Sequence, residues 1–434
     1  MKRIKSVLLL FIVLVTFSCS KKTDDGEINT GMPNTESPNI LFIIADDLGK
    51  DATNGFSEGT IKPNTPNIDV IRNNGISFNN FWTNPSCTPT RASIITGKYG
   101  YRTGVKGVGD ELPISEITLQ KYISTQTNDK YATAIVGKWH LSGNNSTINP
   151  ETFGIDYYFG LIRGAVNDYY QWPLSENGTT SQNTEYITEV FTDLSVDWIN
   201  QQSKPWFMWL AYNAPHTPFH APPSNMHSQG NLPTYNNGLD PIPYYMASIE
   251  AMDFQIGKLL DNISEDERNN TIIIFIGDNG TPNQVAQSPY SSSKVKSTLY
   301  QGGVNVPMFV SGNSVSRTGT DNNLITSTDL FATIAEIAGT STNEINDSKS
   351  FKSLLTQSST IRNYQYSELV DGADDEWAIS NGEYKLIVNS VGTEELYNLA
   401  NDPYENSNLL NGNLSTIEQN AKSELEIELT NIRN

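Results

Sequence analysis

Four largely apolar runs constrain the fold of this 434-residue chain more than any other feature of its sequence. They are residues 39–45, 131–136, 206–211 and 271–276. Runs of this kind are typical of strands that are buried on both faces of a parallel sheet. Segments with an apolar stripe at helical spacing, residues 186–201 and 245–263, lie between them. Strands that alternate with helices predict an α/β fold, with helices packed against the sheet.

Reactive or polar side chains follow each of the four runs. They are Asp46 and Asp47, Lys138 and His140, His216, and Asp278 and Asn279. Ligands bind outside the carboxyl ends of the strands in open α/β sheets, so we expect a site at this edge. A single Asp at a strand end is commonly a helix cap or a turn residue, but an Asp-Asp pair and an Asp-Asn pair after two buried strands favour a metal site. Their oxygen donors suit calcium or magnesium better than zinc.

Residues 87–91, Cys-Thr-Pro-Thr-Arg, form another segment with reactive side chains. Pro89 suits the first turn of a helix, where its missing N–H costs nothing. Cys87 is therefore expected at a helix N-terminus, where free backbone N–H groups favour an anion. A buried structural cysteine is the alternative interpretation.

The same five residues resemble the maturation signature of the formylglycine-dependent sulfatases, the type I sulfatases of the alkaline phosphatase superfamily. In that family a maturase oxidises the cysteine to formylglycine, an aldehyde whose hydrated form attacks the sulfur of a sulfate ester. The resemblance runs from about residue 39 to residue 409 and includes residues 296–307 and 395–409. It implies an alkaline-phosphatase-like fold: a large, mostly parallel mixed sheet sandwiched by helices, plus a smaller C-terminal domain with a short antiparallel sheet and a helix.

The resemblance also implies a role for each matching side chain. Matured Cys87 would be the nucleophile, and Arg91 and Lys138 would hold its diol and the developing negative charge. His140 would act as the base when sulfate is released. His216 would contact the sulfate and protonate the departing alcohol oxygen. Imidazole suits such proton transfers because its charge changes near neutral pH.

Lys296 is implied as a further contact to the sulfate. Lys294 is the competing choice, because the sequence does not determine the register of a loop. The segment departs from the family pattern at Gln301, where Glu is usual, and at Asn305, where Arg is usual. Both departures follow the lysine, so they question the packing around it rather than its catalytic role.

By the same resemblance, Asp46, Asp47, Asp278 and Asn279 bind one divalent ion together with the matured residue 87. Calcium is the expected ion, with magnesium less favoured. The carboxylates alone would repel a sulfate group, so a dication is what makes anion binding plausible there.

Substrate-binding residues are expected in a polar and aromatic segment and at the mouth of the site. Arg163, Asp168 and Trp172 lie in that segment, and His220 follows His216 closely enough to line the mouth. Aromatic rings stack on sugar rings, but such residues also fill ordinary loops and cores. A surface position in a loop is the alternative for His220.

The N-terminus has the layout of an export signal. Basic residues precede an apolar run at 7–17, which predicts a signal peptide over residues 1–18. Cys19 resembles the lipidated first residue of a mature bacterial lipoprotein, with ordinary signal cleavage as the alternative. Residues 19–38 are polar and read as a tether. The sequence thus predicts an exported protein held to a membrane through a lipid on Cys19, in the periplasm or on the outer cell surface.

The remaining chain predicts two parts, a catalytic domain at residues 39–340 and a C-terminal subdomain at 341–434. In the second part, short strands are expected at 363–369, 376–379, 384–389 and 395–399, with a helix at 415–432 packed on them. The formal net charge of −20, with no basic cluster after the first residues, excludes a nucleic acid partner.

Three functions remain after these arguments. The leading one is an exported sulfatase that acts on sulfated poly- or oligosaccharides, with formylglycine, calcium and a maturase as its requirements. The second is a phosphonate monoester or phosphodiester hydrolase of the same superfamily, although such relatives tend to carry Asp-His where this chain has Asp278-Asn279. The third is a catalytically inactive lipoprotein that binds carbohydrate on the same scaffold.

Overall fold

A ten-stranded mixed sheet runs through the structure, a computed structural model that describes residues 37–144, 148–371 and 374–434. Its strands in chain order are β1 (Asn39–Ala45), β2 (Gly75–Trp82), β3 (Ala132–Lys138), β4 (Tyr158–Leu161), β5 (Trp172–Glu176), β6 (Thr179–Asn183), β7 (Trp206–Ala211), β8 (Thr271–Gly277), β9 (Met308–Gly312) and β10 (Gly319–Thr326). Across the sheet the order is β10-β2-β9-β8-β1-β7-β3-β4-β5-β6.

The four predicted apolar runs form the centre of this sheet. β1 lies between β7 and β8 and is parallel to both, and β3 is parallel to β7 and to β4. β9 runs antiparallel to both β8 and β2, and the β4-β5 and β5-β6 pairs are also antiparallel. The large, mostly parallel mixed sheet is thus confirmed.

Helices cover the sheet because alternate residues of a strand point to opposite faces. The described α-helices are α1 (Pro66–Asn73), α2 (Cys87–Thr96), α3 (Gly100–Thr103), α4 (Leu119–Thr127), α5 (Ile187–Ile199), α6 (Ile242–Asn262), α7 (Glu265–Asn269), α8 (Gln301–Val304), α9 (Asp329–Ile337) and α10 (Thr416–Arg433). Ile40, Phe42 and Ile44 of β1 belong to a core that includes α2 and α9. Leu41 and Ile43 belong to a second core, with α5 and α6.

A smaller antiparallel sheet follows in the chain. It consists of β13 (Gln365–Asp371), β14 (Asp374–Ser380), β15 (Tyr384–Asn389) and β16 (Glu394–Asn398), and a two-stranded pair precedes it, β11 (Glu344–Ile345) and β12 (Ser348–Lys349). Helix α10 packs on the four-stranded sheet through Ala421 and Leu425, which contact a cluster with Leu386 and Leu396. The antiparallel C-terminal sheet and its helix are confirmed.

Residues Ser37–Asn434 form one compact unit, so the division of domains at residue 340 stays a prediction. The predicted signal peptide, Cys19 and most of the tether lie in residues 1–36, outside the described residues. None of the helices in the described part of the chain has the length together with the apolar content that a bilayer crossing requires.

Candidate active site

The carboxyl ends of the central strands bring the predicted side chains to one edge of the sheet. Asp46 follows β1 and Asp278 follows β8, and the Asp278 N–H donates to the carbonyl of Ala45 at 3.0 Å. The Asp46 N–H donates to the carbonyl of Ala214 at 3.1 Å, which joins β1 to the loop after β7. Lys138 is the last residue of β3, two residues beyond the predicted end of that strand. The parallel register therefore places residues that are far apart in sequence side by side.

Cys87 is the first residue of α2, as the position of Pro89 predicts. Its side chain is buried, and its Sγ lies 3.2 Å from Nδ1 of His140. Burial raises the pKa of the Cys87 thiol. The unmodified thiol therefore stays protonated and is a poor nucleophile at neutral pH.

Arg91 is fully buried one turn further along α2 and binds an acidic partner. Its Nη2 and Nε donate to Oδ2 of Asp278 at 2.8 and 3.2 Å, and its Nη1 donates to the carbonyl of Lys138 at 2.8 Å. The Lys138 ammonium in turn donates to Oδ2 of Asp46 at 2.5 Å. Two buried cations are thus held against two buried carboxylates, where charge-assisted hydrogen bonds are strong.

The buried carboxylates respond differently to this arrangement. Burial raises the pKa of Asp278, and the neighbouring charge of Asp46 raises it further. Burial also acts on Asp46, but Lys138, His216 and Arg91 outweigh it and hold the pKa of Asp46 below its ordinary value. Asp46 is therefore the carboxylate whose negative charge the surrounding cations stabilise most.

Several buried oxygens at this edge fit a divalent cation. Oδ1 of Asp46 and Oδ1 of Asn279 are buried and accept no hydrogen bond among the described residues. An unsatisfied buried acceptor costs roughly 1–3 kcal/mol, so a ligand for these oxygens is expected. Asp46, Asp47 and His216 each offer a ligand atom within 4.8 Å of the others. The predicted ligand Asp278 differs, because its two oxygens accept from the Asp47 N–H and from Arg91.

Lys296 and His216 face Asp47 from the solvent side of the site. The Lys296 ammonium donates to Oδ2 of Asp47 at 2.6 Å, and Nε2 of His216 lies 3.7 Å from the same oxygen. Nδ1 of His216 lies 2.7 Å from the carbonyl of Thr217, which only accepts, so Nδ1 carries a proton and Nε2 points into the site. Burial lowers the pKa of His216, and the charge of Asp47 opposes that shift.

His140 lies on the other side of Cys87 in a left-handed backbone conformation, with φ of 58°. Its N–H donates to the carbonyl of Ile162 at 3.0 Å, and its Nδ1 is 3.2 Å from Oγ1 of Thr88 as well as from Cys87. A Cβ at Gly164 would come within 2.1 Å of the ring, so only glycine leaves room for it. Burial lowers the pKa of His140 well below its ordinary value, which favours the neutral base.

The lysine register that the sequence left open is decided by contacts. Lys294 places its ammonium 4.3 Å from the ring centre of Tyr300 and donates to the carbonyl of Glu405, so it points away from Asp47. Lys296 is the lysine that the structure places at the site.

The two departures from the family pattern contact one another. Nδ2 of Asn305 donates to Oε1 of Gln301 at 2.8 Å. The Gln301 N–H donates to a carboxylate oxygen of Glu405 at 2.5 Å. A neutral amide pair therefore replaces the acidic and the basic residue of the family pattern. The hydrogen bond between the two amides still links both ends of this part of the segment after Lys296.

The predicted substrate-binding residues differ in their exposure to solvent. Arg163 and Asp168 are exposed, and Asp168 accepts from the Tyr170 N–H at 2.7 Å as a turn residue would. Trp172 corrects the prediction: it is fully buried, its ring packs on Phe191, and its Nε1 donates to a backbone carbonyl, so it has no free face for a sugar.

His220 also has its ring nitrogens occupied. Its Nδ1 lies 3.0 Å from the carbonyl of Pro218 and its Nε2 lies 3.2 Å from the hydroxyl of Tyr186. Its ring stacks on Tyr169 at 3.7 Å, and burial lowers the pKa of His220 to about 4. The Tyr169 hydroxyl donates to the carbonyl of His216 at 2.6 Å, so this stack supports the loop that carries His216.

Sequence reasoning missed Thr88, Gly164 and Tyr245 as parts of the site. Tyr169 lies in the polar and aromatic segment that was expected to bind substrate, but its hydroxyl instead supports the loop of His216. Tyr245, in the first turn of α6, donates its hydroxyl hydrogen to the carbonyl of Asp47 at 2.7 Å. No local pattern marks these residues, because their partners are distant in the chain. Thr88 is the exception, because it lies inside the Cys87–Arg91 segment that the sequence marks as reactive.

Comparison with known families agrees with this geometry. Residues 38–340 match the family described as Sulfatase, and residues 295–434 match one described as N-sulphoglucosamine sulphohydrolase, C-terminal. The chain belongs to the type I sulfatase family. The sulfatase domain and the similarity to arylsulfatases support sulfuric ester hydrolysis as the reaction class.

Individual relatives of this sulfatase are distant in sequence. It is 28% identical to mouse (Mus musculus) arylsulfatase G over 76% of this chain and 69% of the relative, and 28% identical to mouse arylsulfatase J over 72% of this chain and 54% of the relative. The chain thus spans about half to two thirds of the length of these curated relatives.

Solved structures of sulfatases share the fold. One is the crystal structure of Ps i-CgsB in complex with k-i-k-neocarrahexaose, with a TM-score of 0.76, 25% identity, and coverage of 90% of this chain and 92% of that one. Another is BT4656 in complex with its substrate D-glucosamine-2-N,6-O-disulfate, with a TM-score of 0.76, 20% identity, and coverage of 92% of this chain and 98% of that one. At that identity the second likeness shows the fold alone.

Proposed function

We propose that this sulfatase hydrolyses sulfate esters on sulfated oligo- or polysaccharides, with Cys87 matured to formylglycine and with calcium, rather than magnesium, at the acidic edge. The observation that carries the proposal is the convergence of two histidines and three cations around Cys87. These side chains come from four separate parts of the chain, residues 87–91, residues 138–140, His216 and Lys296. The similar structure of Ps i-CgsB in complex with k-i-k-neocarrahexaose supports a sulfated carbohydrate as the substrate class.

Hydrated formylglycine at position 87 would supply two hydroxyls, one to attack sulfur and one to expel sulfate. His140 is placed to accept a proton there, because its Nδ1 lies 3.2 Å from the Cys87 Sγ and its ring is neutral in this environment. A positioned base of this kind contributes about 10²- to 10⁴-fold to a rate. Thr88, also 3.2 Å from Nδ1, helps to hold the ring in place.

Asp46, Asp47 and Asn279 would hold the divalent cation, which would supply positive charge beside the sulfate. Lys138 and Arg91, which also bind Asp46 and Asp278, would stabilise negative charge on residue 87. Three acidic side chains crowd this edge, so these cations are needed before an anionic substrate can approach.

Lys296 and His216 form the wall that faces solvent and would meet the substrate. Their side chains are 21% and 14% exposed, whereas Asp47 is almost fully buried. Nε2 of His216 points into the site, and in the doubly protonated ring it would give its proton to the departing sugar oxygen. Lys296 would bind a sulfate oxygen as a point charge.

Matured enzyme and mass spectrometry test this proposal together. Protein made with a formylglycine-generating maturase should release sulfate, and the tryptic peptide that ends at Arg91 should have lost the sulfur of Cys87. Protein made without the maturase should keep the sulfur and be inactive. Full sulfate release by protein that retains Cys87 would contradict the proposal.

Parallel assays separate the alternatives. An aryl sulfate and a panel of sulfated oligosaccharides should be hydrolysed, while a phosphodiester and a phosphonate monoester should not. Preferred phosphodiester hydrolysis would favour the second enzyme class. Carbohydrate binding without any hydrolysis by matured protein would favour an inactive scaffold.

Export and lipidation are also part of the proposal. They rest on the N-terminal sequence, in residues outside the described structure. A Cys19→Ser variant should appear in the soluble fraction rather than the membrane fraction of cells. Equal membrane association of both proteins would contradict a lipid anchor on Cys19.

A further inference from the structure

Arg163 differs from every other arginine in the described part of the chain. The other seven contact an acidic side chain or a backbone carbonyl: Arg72, Arg91, Arg102, Arg268, Arg317, Arg362 and Arg433. Arg163 is exposed and has no such partner among residues 37–144, 148–371 and 374–434. In a protein with a net charge of −20, an arginine without an acidic neighbour is available to an anion from outside.

Arg163 lies at the active edge of the sheet. It follows β4, which runs parallel to β3 with Leu161 paired to Lys138. The residue before it accepts a hydrogen bond from the His140 N–H, and the residue after it, Gly164, packs against the His140 ring. The backbone on both sides of Arg163 therefore touches His140.

A cavity of about 450 Å³ opens beside this arginine. The β5-β6 hairpin forms one wall through Pro173, Ser175, Gly178 and Thr180, and Asn149, Leu161 and Ile162 also line the cavity. The volume lies within the range of about 300–1,000 Å³ that is usual for ligand pockets. Among the described residues, no acidic side chain lines it.

Ser175 gives an independent sign of a ligand. The residue is 2% exposed, lines the cavity, and its Oγ has no hydrogen-bond partner among the described residues. Buried hydroxyls almost always have a partner, so an unpartnered one in a cavity wall points to a group that binds there. Both side chains can donate to an anion, since the Arg163 guanidinium carries only donors and the Ser175 hydroxyl can turn its hydrogen toward an acceptor.

We infer that this cavity is a subsite for a second anionic group, a sulfate or carboxylate on the substrate or on a neighbouring sugar. The inference rests on the proposed sulfated-glycan substrate. The Arg163 guanidinium binds two oxygens of that group in its planar fork, and the Ser175 hydroxyl donates to a third. The enzyme then prefers glycans with two or more anionic groups over singly sulfated ones.

Calorimetric binding tests the subsite without depending on turnover. The protein is the full chain with Cys87→Ser. The probes form two pairs, each with one monosulfated and one disulfated member. The first pair is D-glucosamine 6-O-sulfate and D-glucosamine 2-N,6-O-disulfate, and the second is a monosulfated and a disulfated carrageenan disaccharide. At least one disulfated probe should bind about tenfold more tightly than its monosulfated partner. Arg163→Gln should abolish that difference, and Arg163→Lys should restore part of it.

Two further variants make the result specific. Arg268→Gln removes the same charge from α7, before β8 at the opposite edge, and should leave the difference intact. Ser175→Ala should weaken disulfated binding severalfold without lowering the melting temperature, because its hydroxyl has no partner to lose.

The subsite is overturned if disulfated probes bind no more tightly than monosulfated ones, if no probe binds, or if Arg163→Gln leaves the difference unchanged. Failure of the proposed function has another signature. In that case matured wild-type enzyme releases no sulfate from any substrate, whatever the binding data show.

Discussion

At the scale of single residues, the site is built on unusual backbone conformations. Asp47, His140 and Ser297 all have positive φ, at 68°, 58° and 66°. Non-glycine residues in this region cost free energy and persist where the surrounding structure requires them. Asp47 accepts from Lys296, His140 lies beside Cys87, and Ser297 follows Lys296, so the strained residues cluster at the candidate site.

Gly164 provides a test of how closely the His140 ring must be held. Gly164→Ala places a methyl group 2.1 Å from the ring, which forces the imidazole away from residue 87. We expect kcat to fall about 10- to 100-fold with little change in unfolding free energy. Gly412→Ala is the matched control, because its nearest neighbour lies 3.8 Å away. Equal kcat values for both variants would show that the ring position is not critical.

The two histidines predict an acidic pH optimum. Burial lowers the pKa of both, and lowers that of His140 farther, from an ordinary value of about 6.5. His140 must be neutral to act as the base, so activity falls at low pH, where this ring becomes protonated. His216 must be protonated to act as the acid, so activity falls as pH rises through its lowered pKa. The kcat/KM profile should peak below pH 6.5, and a peak above pH 7.5 would refute these roles.

At the scale of elements, the small sheet holds the lysine loop in place. Lys385 of β15 and Glu405 form a fully buried ion pair at 2.6 Å. Glu405 also accepts from the N–H of Gln301 in α8, and its carbonyl accepts from Lys294. The segment that carries Lys296 is therefore attached to the C-terminal part of the chain through one carboxylate and its backbone.

Lys385→Met tests this attachment. It leaves the Glu405 charge buried without its partner, which should lower the unfolding free energy by about 3–5 kcal/mol and reduce kcat as Lys296 loses its position. Lys349→Met is the control, because the Lys349–Glu344 pair is mostly exposed and contributes about 0–1 kcal/mol. Chemical denaturation measures both. Similar losses in the two variants would contradict the argument.

At the scale of the whole molecule, the cations of the site oppose the net negative charge of the protein. The chain carries −20, yet the site gathers Arg91, Lys138 and Lys296 around its acidic residues. A polyanionic substrate of the proposed kind would be repelled at long range and attracted only close to the site. Added salt screens both effects, with a Debye length of about 8 Å at physiological ionic strength.

Metal removal is the corresponding test. Chelation should abolish hydrolysis, and calcium should restore it better than magnesium, because the carboxylates then lose or regain their counter-charge. The melting temperature should fall as well, since a ligand at 100 times its Kd stabilises the folded state by about 2.7 kcal/mol. Scanning calorimetry with and without calcium gives this second readout. Full activity in a demonstrably metal-free sample would refute the metal site.

The sequence by itself determined the central strands, the helix that begins at Cys87 and the chemical types at the strand ends. Local patterns suffice for these features, because strand and helix periodicity depend on near neighbours. It also predicted the small sheet and its helix, although β13 and β14 extend beyond the predicted bounds.

Only the tertiary structure decided which side chains meet. Asp47 and Lys296 are 249 positions apart, and Arg91 and Asp278 are 187 apart, so no local pattern shows that they pair. The same limit explains Trp172, whose neighbours turned an expected sugar contact into core, and the choice of Lys296 over Lys294. Contacts between distant residues depend on the packing and register of the whole sheet, and those emerge only when the chain has folded.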